Sequence, residues 1–121
     1  MKLNLNIRNV DGVSVVDLSG RLVLGEEAIS LRQALNDLLA KDEKKILLNL
    51  AGIGYVDTSG LGTLVTGLAS ATSANAQLKL VNLDRRVHDV IRTTRLHMLF
   101  EVFVDEAKAI CSFASHAGAT G

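Results

Sequence analysis

The chain has 121 residues, of which thirteen are basic and thirteen acidic, so its formal net charge at pH 7 is zero. This length suits one domain with one hydrophobic core. The balanced charge lacks the basic excess that holds nucleic acid or an anionic membrane surface, and we therefore expect neither as a partner. The lone Cys111 cannot form an internal disulfide. The residues after Met1 alternate between apolar and polar and lack the long apolar run of a secretory signal peptide, so we do not expect one there. We expect a cytoplasmic protein.

The N-terminal region predicts a β-hairpin. Apolar and polar residues alternate from Leu3 to Arg8, with Leu3, Leu5 and Ile7 on the inward side. Asp11-Gly12 then supplies two residues that tolerate positive φ, which is a strong signal for a two-residue hairpin turn. The second strand starts at Val13 and is predicted to end near Gly20.

The remainder alternates helices with strands. A helical stripe follows Glu26, and the apolar run Ile46–Leu50 is typical of a central strand that is covered on both faces. The next predicted elements are a helix at 60–70, a strand at 78–83, a helix capped by Asp84, a strand at 100–104 and a helix capped by Asp105. The inward residues of the first helix are predicted to be Ala28, Leu31, Leu35, Leu38 and Leu39, and those of the last helix Ala107, Ile110, Cys111 and Ala114.

The predicted order is β-β-α-β-α-β-α-β-α. It indicates an α/β protein with a single mixed sheet, which opens with an antiparallel hairpin and continues with parallel strands and right-handed crossovers. Residues 1–115 are predicted to form this domain. The small, polar residues 116–121 are predicted to form a disordered C-terminal tail.

Residues 54–63 read GYVDTSGLGT and lie where the central strand ends and a helix begins. Open α/β sheets usually place functional residues at such a position. The simplest interpretation is that Asp57 or Ser59 only caps the helix by accepting hydrogen bonds from its free amide groups. A functional interpretation follows from the residues after the cap.

Three glycines, Gly60, Gly62 and Gly67, fall within this one helix, and an interior glycine costs roughly 0.5–1 kcal/mol relative to alanine. A helix that only covers a sheet gives no reason for all three. The predicted outer face is small and uncharged, which suits close approach by another protein. A phosphate on Ser59 would add about −1.5 to −2 charges to that neutral surface. This outer face is predicted to comprise Gly60, Thr63, Thr66, Gly67 and Ser70.

The segment Lys45–Gly62, an apolar strand that runs into DTSGLG, resembles the STAS domain of bacterial anti-sigma factor antagonists. The chain departs from many family members at 23–25, where Val-Leu-Gly stands in place of an aspartate or similar polar residue. The likeness covers about residues 3–113, and its further parts are the opening hairpin, Gly20-Arg21-Leu22, Leu78–Asn82 and Leu99-Phe100.

The resemblance implies that Ser59 is phosphorylated by an anti-sigma factor that is also a serine kinase, and that a serine phosphatase reverses the modification. The unphosphorylated form would bind the anti-sigma factor and free its sigma factor. No cofactor, metal or catalytic activity is expected of the chain itself. With the outer face of the helix included, the predicted partner-binding surface comprises Asp57, Thr58, Ser59, Gly60, Leu61, Gly62, Thr63, Thr66 and Gly67.

Other classes of site fit less well. A phosphoaspartate receiver domain at Asp57 would need a metal held by further carboxylates, and no acidic pair follows the first strand. A hydrolase with Ser59 as nucleophile would need G-x-S-x-G, but Asp57 replaces the first glycine. The segment Gly60–Gly62 lacks the third glycine of a dinucleotide-binding loop. Cys111 and the three histidines do not have the spacing of a zinc site.

Two alternatives stay open at this stage. The same fold serves as an accessory or scaffold subunit of a transporter or signalling assembly, in which Ser59 would never be phosphorylated. A neighbouring gene for a kinase-type anti-sigma factor, or for a permease, would distinguish the two functions. Separately, a basic group either forms a solvated helix face or contacts an acidic partner, and its members are Arg85, Arg86, Arg92 and Arg95.

Overall fold

The computed structural model describes residues 3–120, with side chains described through residue 113. It confirms the predicted order of five strands and four helices, with one additional short 3₁₀-helix at Leu96–Met98. The strands are β1 (Asn4–Val10), β2 (Val13–Leu22), β3 (Lys45–Val56), β4 (Gln77–Val81) and β5 (Val102–Phe103). The helices are α1 (Glu26–Ala40), α2 (Thr58–Ser73), α3 (Arg85–Thr93) and α4 (Glu106–Thr120).

The strands form one mixed sheet in the order β1-β2-β3-β4-β5. β1 and β2 are antiparallel, and each later pair is parallel. The hairpin turn lies at Asp11-Gly12, where φ is 53° and 82°, as the sequence predicts. The predicted fold class is therefore confirmed.

Two hydrophobic cores lie on opposite faces of the sheet. Because successive parallel crossovers have the same hand, α1, α2 and α3 pack on one face, where Ile46, Leu48 and Leu50 of β3 meet them. Leu47 of the same strand points to the other face and packs with Phe113 of α4. The prediction of a central strand covered on both sides is confirmed.

Polar contacts attach α4 to the sheet. Arg8 of β1 donates through Nη2 to Glu106 Oε1 at 2.8 Å and also pairs with Asp17 of β2. The hydrogen bonds that the Arg8 guanidinium donates to the Asp17 carboxylate are the main cause of the lowered pKa of Asp17. Lys79 of β4 is only 4% exposed, and its Nζ donates to Ser112 Oγ at 2.8 Å. These contacts hold α4 on the face opposite to α1 and α2.

The central strand is longer than predicted. The sequence pattern ends the strand at Leu50, whereas β3 continues to Val56 and pairs with the end of β2 through two register shifts. Gly52 permits this extension, because a Cβ atom there would lie 2.6 Å from Ser19 Cβ. Gly52 thus allows β2 and β3 to approach closely, and the extension carries the chain to Asp57.

Some predicted orientations are wrong. Ile7 was expected to face inward but is 49% exposed, because it lies in the edge strand β1. Cys111 was expected in the core but is exposed, since the buried stripe of α4 is offset by one residue and uses Ala109, Ile110 and Phe113. The disorder of residues 116–121 stays a prediction. The boundary of the domain at residue 115 stays a prediction.

Candidate functional site

The segment DTSG begins α2 at the carboxyl edge of the parallel strands. Asp57 is the N-cap, and its Oδ1 accepts a hydrogen bond from the Gly60 amide at 2.8 Å, so the predicted capping role is confirmed. Its Oδ2 accepts a second bond from the Leu24 amide at 3.1 Å, and the Asp57 amide donates to the Leu22 carbonyl oxygen at 3.2 Å. Asp57 therefore joins the start of α2 to the loop between β2 and α1.

These contacts also determine the charge of the cap. The Gly60 amide, and after it the Leu24 amide, stabilise the ionised carboxylate and lower the pKa of Asp57 below its ordinary value. Near neutral pH the side chain is consequently an anion that accepts from two chain segments at once.

The buried side of α2 contains residues that the sequence predicts to be exposed. A Cβ atom on Gly60 would lie 2.2 Å from the Leu22 carbonyl oxygen, so glycine is required for the close approach of α2 to β2. A Cβ atom on Gly67 would meet Leu35 Cδ1 of α1 at 2.6 Å. Thr63 is only 7% exposed, and its Oγ1 donates to the Ser59 carbonyl oxygen at 3.0 Å.

The predicted outer face of α2 is therefore wrong for Gly60, Thr63 and Gly67. The physical reason is that α1 packs along this flank of α2, in addition to the sheet beneath it. Periodicity within one helix shows which residues could face a neighbour, but it does not show on which side a second helix lies. Two of the three unusual glycines are thus explained by packing.

The other members of the predicted surface remain accessible. Thr58, Gly62 and Thr66 are exposed, while Ser59 and Leu61 are partly buried. A Cβ atom on Gly62 would meet no other atom within 4 Å, so packing does not explain this glycine. The accessible part of α2 is consequently centred on Ser59 and Gly62.

A groove of about 360 Å³ runs between α1 and α2 and includes Ser59 in its wall. On the α1 side, Leu24 is 75% exposed and Ile29 is 53% exposed, so two large apolar side chains border the groove. Arg32 is the one charged residue of the lining. The α1 wall comprises Leu24, Gly25, Ala28, Ile29 and Arg32, and the α2 wall comprises Ser59, Gly62, Thr63 and Thr66.

Sequence reasoning missed the α1 wall of this groove. The available signal was that Ile29 falls outside the inward stripe that includes Leu31 and Leu35, so a β-branched apolar residue stood on the polar side of the helix. Leu24 gave a similar signal, since it is an apolar residue in a connecting loop. Exposed apolar residues that border a groove indicate a surface for protein contact.

Other site chemistry is sparse in the described part of the chain. No group of three or more His, Cys, Asp or Glu residues with the geometry of a metal site occurs there. Among the described helices, none combines the length and hydropathy that crossing a bilayer requires. What the groove presents is a serine hydroxyl, two exposed apolar side chains and one arginine in an otherwise uncharged lining.

A mixed sheet, α-helices on both of its faces and a serine at the start of α2 together define the class of this protein as a small α/β domain with a groove beside that serine. A model of the STAS domain family matches residues 4–109. The chain belongs to the STAS domain family, and the predicted resemblance is confirmed.

Solved structures show the same fold. A candidate anti-sigma factor antagonist from Thermotoga maritima is 25% identical, with a TM-score of 0.78 over 89% of this chain and 92% of that one. The Bacillus cell fate determinant SpoIIAA in its phosphorylated form is 17% identical, with a TM-score of 0.71 over 91% of this chain and 99% of that one. The murine anion transporter Slc26a9 is 17% identical, with a TM-score of 0.73 over 94% of this chain but only 22% of the transporter.

Proposed function

We propose that the chain is an anti-sigma factor antagonist controlled by phosphorylation of Ser59. In this proposal the unphosphorylated form binds a kinase-type anti-sigma factor in the bacterial cytoplasm and frees the sigma factor. The kinase transfers the γ-phosphoryl group of ATP to Ser59 Oγ, the hydroxyl proton is lost, and ADP leaves. A serine phosphatase hydrolyses the phosphate ester with water, which releases inorganic phosphate and restores the hydroxyl. In this proposal the chain acts by binding and catalyses no step itself.

The observation that carries the proposal is the position of Ser59 in the wall of a groove with a largely neutral lining. A partner that fits beside Leu24 and Ile29 would desolvate few charges, which favours binding. A phosphate would place about −1.5 to −2 charges in that contact. The proposed partner surface consists of the accessible residues Thr58, Ser59, Leu61, Gly62 and Thr66 with the α1 wall of the groove.

The buried members of the predicted partner surface have a supporting part in this proposal. Gly60, Thr63 and Gly67 set the distance between α2, β2 and α1, and Asp57 fixes the loop that leads into Ser59. The likeness to the Thermotoga maritima protein supports the proposed class, and the phosphorylated form of SpoIIAA supports phosphorylation as a state of this fold.

Modification of Ser59 is tested by peptide mass spectrometry. The protein is incubated with ATP and the candidate anti-sigma kinase, and Ser59→Ala and Thr58→Ala serve as matched variants of neighbouring hydroxyl residues. We expect one phosphate on Ser59 in the wild type and in Thr58→Ala, and none in Ser59→Ala. A phosphate on Thr58 instead, or no phosphate at all, would refute the switch at Ser59.

The affinity for the anti-sigma factor is measured with two variants of Ser59. Ser59→Ala should bind constitutively, whereas Ser59→Asp should bind at least tenfold more weakly, which corresponds to about 1.4 kcal/mol. The aspartate lies in the first turn of α2, where a negative charge is favourable, so this variant should stay folded. Equal affinities of the two folded variants would contradict the proposed mechanism.

The second candidate function is that of an accessory domain in a transporter or signalling assembly. The likeness to the murine anion transporter favours this possibility, because the whole described domain corresponds to a part of that longer protein. In that case the groove would still bind a protein, but the binding would not depend on phosphorylation. Co-purification with a permease and an unmodified Ser59 would support this function over the first.

A further inference from the structure

One cationic side chain lines the groove between α1 and α2, and it lies on the wall opposite to Ser59. Arg32 of α1 lines the groove together with Ser59, Gly62 and Thr66 of α2. Its side chain is exposed and forms no salt bridge with any described residue. The guanidinium of Arg32 is therefore available to an anion that enters the groove.

The direction of the two helices brings Arg32 toward Ser59. α1 follows β2 and α2 follows β3, and because these strands are parallel, both helices begin at the same edge of the sheet. Arg32 lies about 9 Å along α1 from its first residue, at 1.5 Å per residue. Helical side chains lean toward the N-terminus of their helix, so the long side chain of Arg32 extends toward the end where Ser59 lies.

We propose that a phosphate on Ser59 is bound by Arg32 across the groove. This inference rests on the proposed phosphorylation of Ser59 and specifies how the modification acts. A guanidinium presents paired N–H donors that match the oxygens of a phosphate, which makes arginine a preferred residue for phosphate recognition. The resulting ion pair connects the two walls and closes the groove.

Phosphorylation would then change the groove in two ways at once. It adds a dianion to the α2 wall, and it removes the one cation of the lining from contact with a partner. A carboxylate at position 59 carries a smaller charge and has fewer oxygens, so Ser59→Asp should reproduce this state only in part. The groove of the unphosphorylated form stays open and keeps a free guanidinium.

The inference is tested by measuring the second pKa of phosphoserine by phosphorus NMR. Phosphoserine is incorporated at position 59 during translation, so no kinase is needed. The measurement compares the otherwise wild-type protein, Arg32→Gln, and the control Arg85→Gln, which removes an exposed arginine of α3 outside the groove. We expect the phosphate pKa to be about 0.5 units higher in Arg32→Gln than in the other two proteins.

The sign follows from the preference of the guanidinium for the dianion, which lowers the phosphate pKa when Arg32 is present. Asp57, Glu26 and Glu27 are acidic groups near this edge and raise the phosphate pKa, but all three proteins retain them. Asp84, Arg85 and Arg86 at the start of α3 lie at the same edge, and of these only Arg85 differs, in the control protein. Arg32→Lys should restore part of the shift, because a lysine keeps the charge but loses the paired donors. Identical phosphate pKa values in all the variants would overturn the inference.

A binding experiment tests whether the ion pair between Arg32 and the Ser59 phosphate contributes to the effect of phosphorylation on partner affinity. In Arg32→Gln, the ratio between the affinities of the unphosphorylated and phosphorylated forms for the anti-sigma factor should be at least threefold smaller than in Arg85→Gln. An unchanged ratio would contradict the inference. The proposed function fails separately if no kinase modifies Ser59, because the phosphate titration uses incorporated phosphoserine and still tests Arg32.

Discussion

Two helices begin in the same way at the same edge of the sheet, but their surroundings differ. Asp57 caps α2 by accepting from the amide three residues ahead at 2.8 Å, and Asp84 caps α3 with the same geometry at 2.9 Å. Asp57 additionally accepts from the Leu24 amide of a neighbouring loop, and small residues follow it. Two exposed arginines follow Asp84. An aspartate cap alone therefore does not distinguish the two helix starts, whereas the second contact of Asp57 with a neighbouring loop does.

The strongest test of this comparison is Gly60→Ala. The new Cβ atom would lie 2.2 Å from the Leu22 carbonyl oxygen, and backbone atoms cannot move aside as a flexible side chain can. We expect the free energy of unfolding to fall by about 2–3 kcal/mol, the upper part of the range for overpacked sites. Denaturation in urea measures the change.

The matched control is Gly62→Ala, two residues further along α2. Its Cβ atom would meet open space, so the higher helix propensity of alanine should raise the free energy of unfolding by about 0.5–1 kcal/mol. The same methyl group would enter the groove, and the proposed function predicts weaker binding of the anti-sigma factor by this more stable protein. Equal stability of the two variants would show that the contact with Leu22 does not constrain α2.

The two hydrogen bonds of the Asp57 carboxylate should make the stability of the protein depend on pH in the acid range. Its pKa in the folded protein is lowered from the ordinary value of 3.8, so its stabilising effect is complete above that value and is lost as the pH falls through the lowered pKa. Asp57→Asn keeps an acceptor for the cap but loses the charge and the bond to the Leu24 amide.

We therefore expect Asp57→Asn to unfold at a lower temperature than the wild type at pH 7 and to lose less stability between pH 5 and pH 2. Thermal unfolding followed by circular dichroism across this range provides the measurement. Some acid sensitivity should persist in the variant, because the pKa of Asp17 beside Arg8 is lowered as well. Parallel stability curves for the two proteins would mean that the Asp57 contacts do not depend on its charge.

Local signals in the sequence were sufficient for the element order and for the caps. The turn at Asp11-Gly12, the apolar run Ile46–Leu50 and the caps Asp57 and Asp84 each depend on a few adjacent residues, and the structure confirms them. Ser59 was also correctly placed at the start of a helix. These features follow from backbone conformation and hydrogen bonding within one or two turns of chain.

The shape of the site depends on contacts between distant residues, which a single sequence does not reveal. The burial of Gly60 results from the Leu22 carbonyl group, and that of Gly67 from Leu35 on α1. The groove likewise needs Ile29 and Ser59 from different helices. Composition showed that α2 was unusual, but only the packing of β2 and α1 against it separates glycines that are required for structure from the one that borders the groove.

The smallest effect on partner affinity is expected for substitutions at the start of α3, the second of the two compared helices. Arg85 and Arg86 are exposed and lie outside the groove that contains Ser59, so Arg85→Glu with Arg86→Glu should leave the affinity for the anti-sigma factor within about twofold and its salt dependence unchanged. Calorimetric titration at low and physiological salt measures both. Acidic residues in the first turn after Asp84 are favourable to the helix, so the fold should be retained and any change would report on partner contact. A tenfold loss that diminishes with salt would extend the partner surface to α3, and the two helix starts would then form one interface.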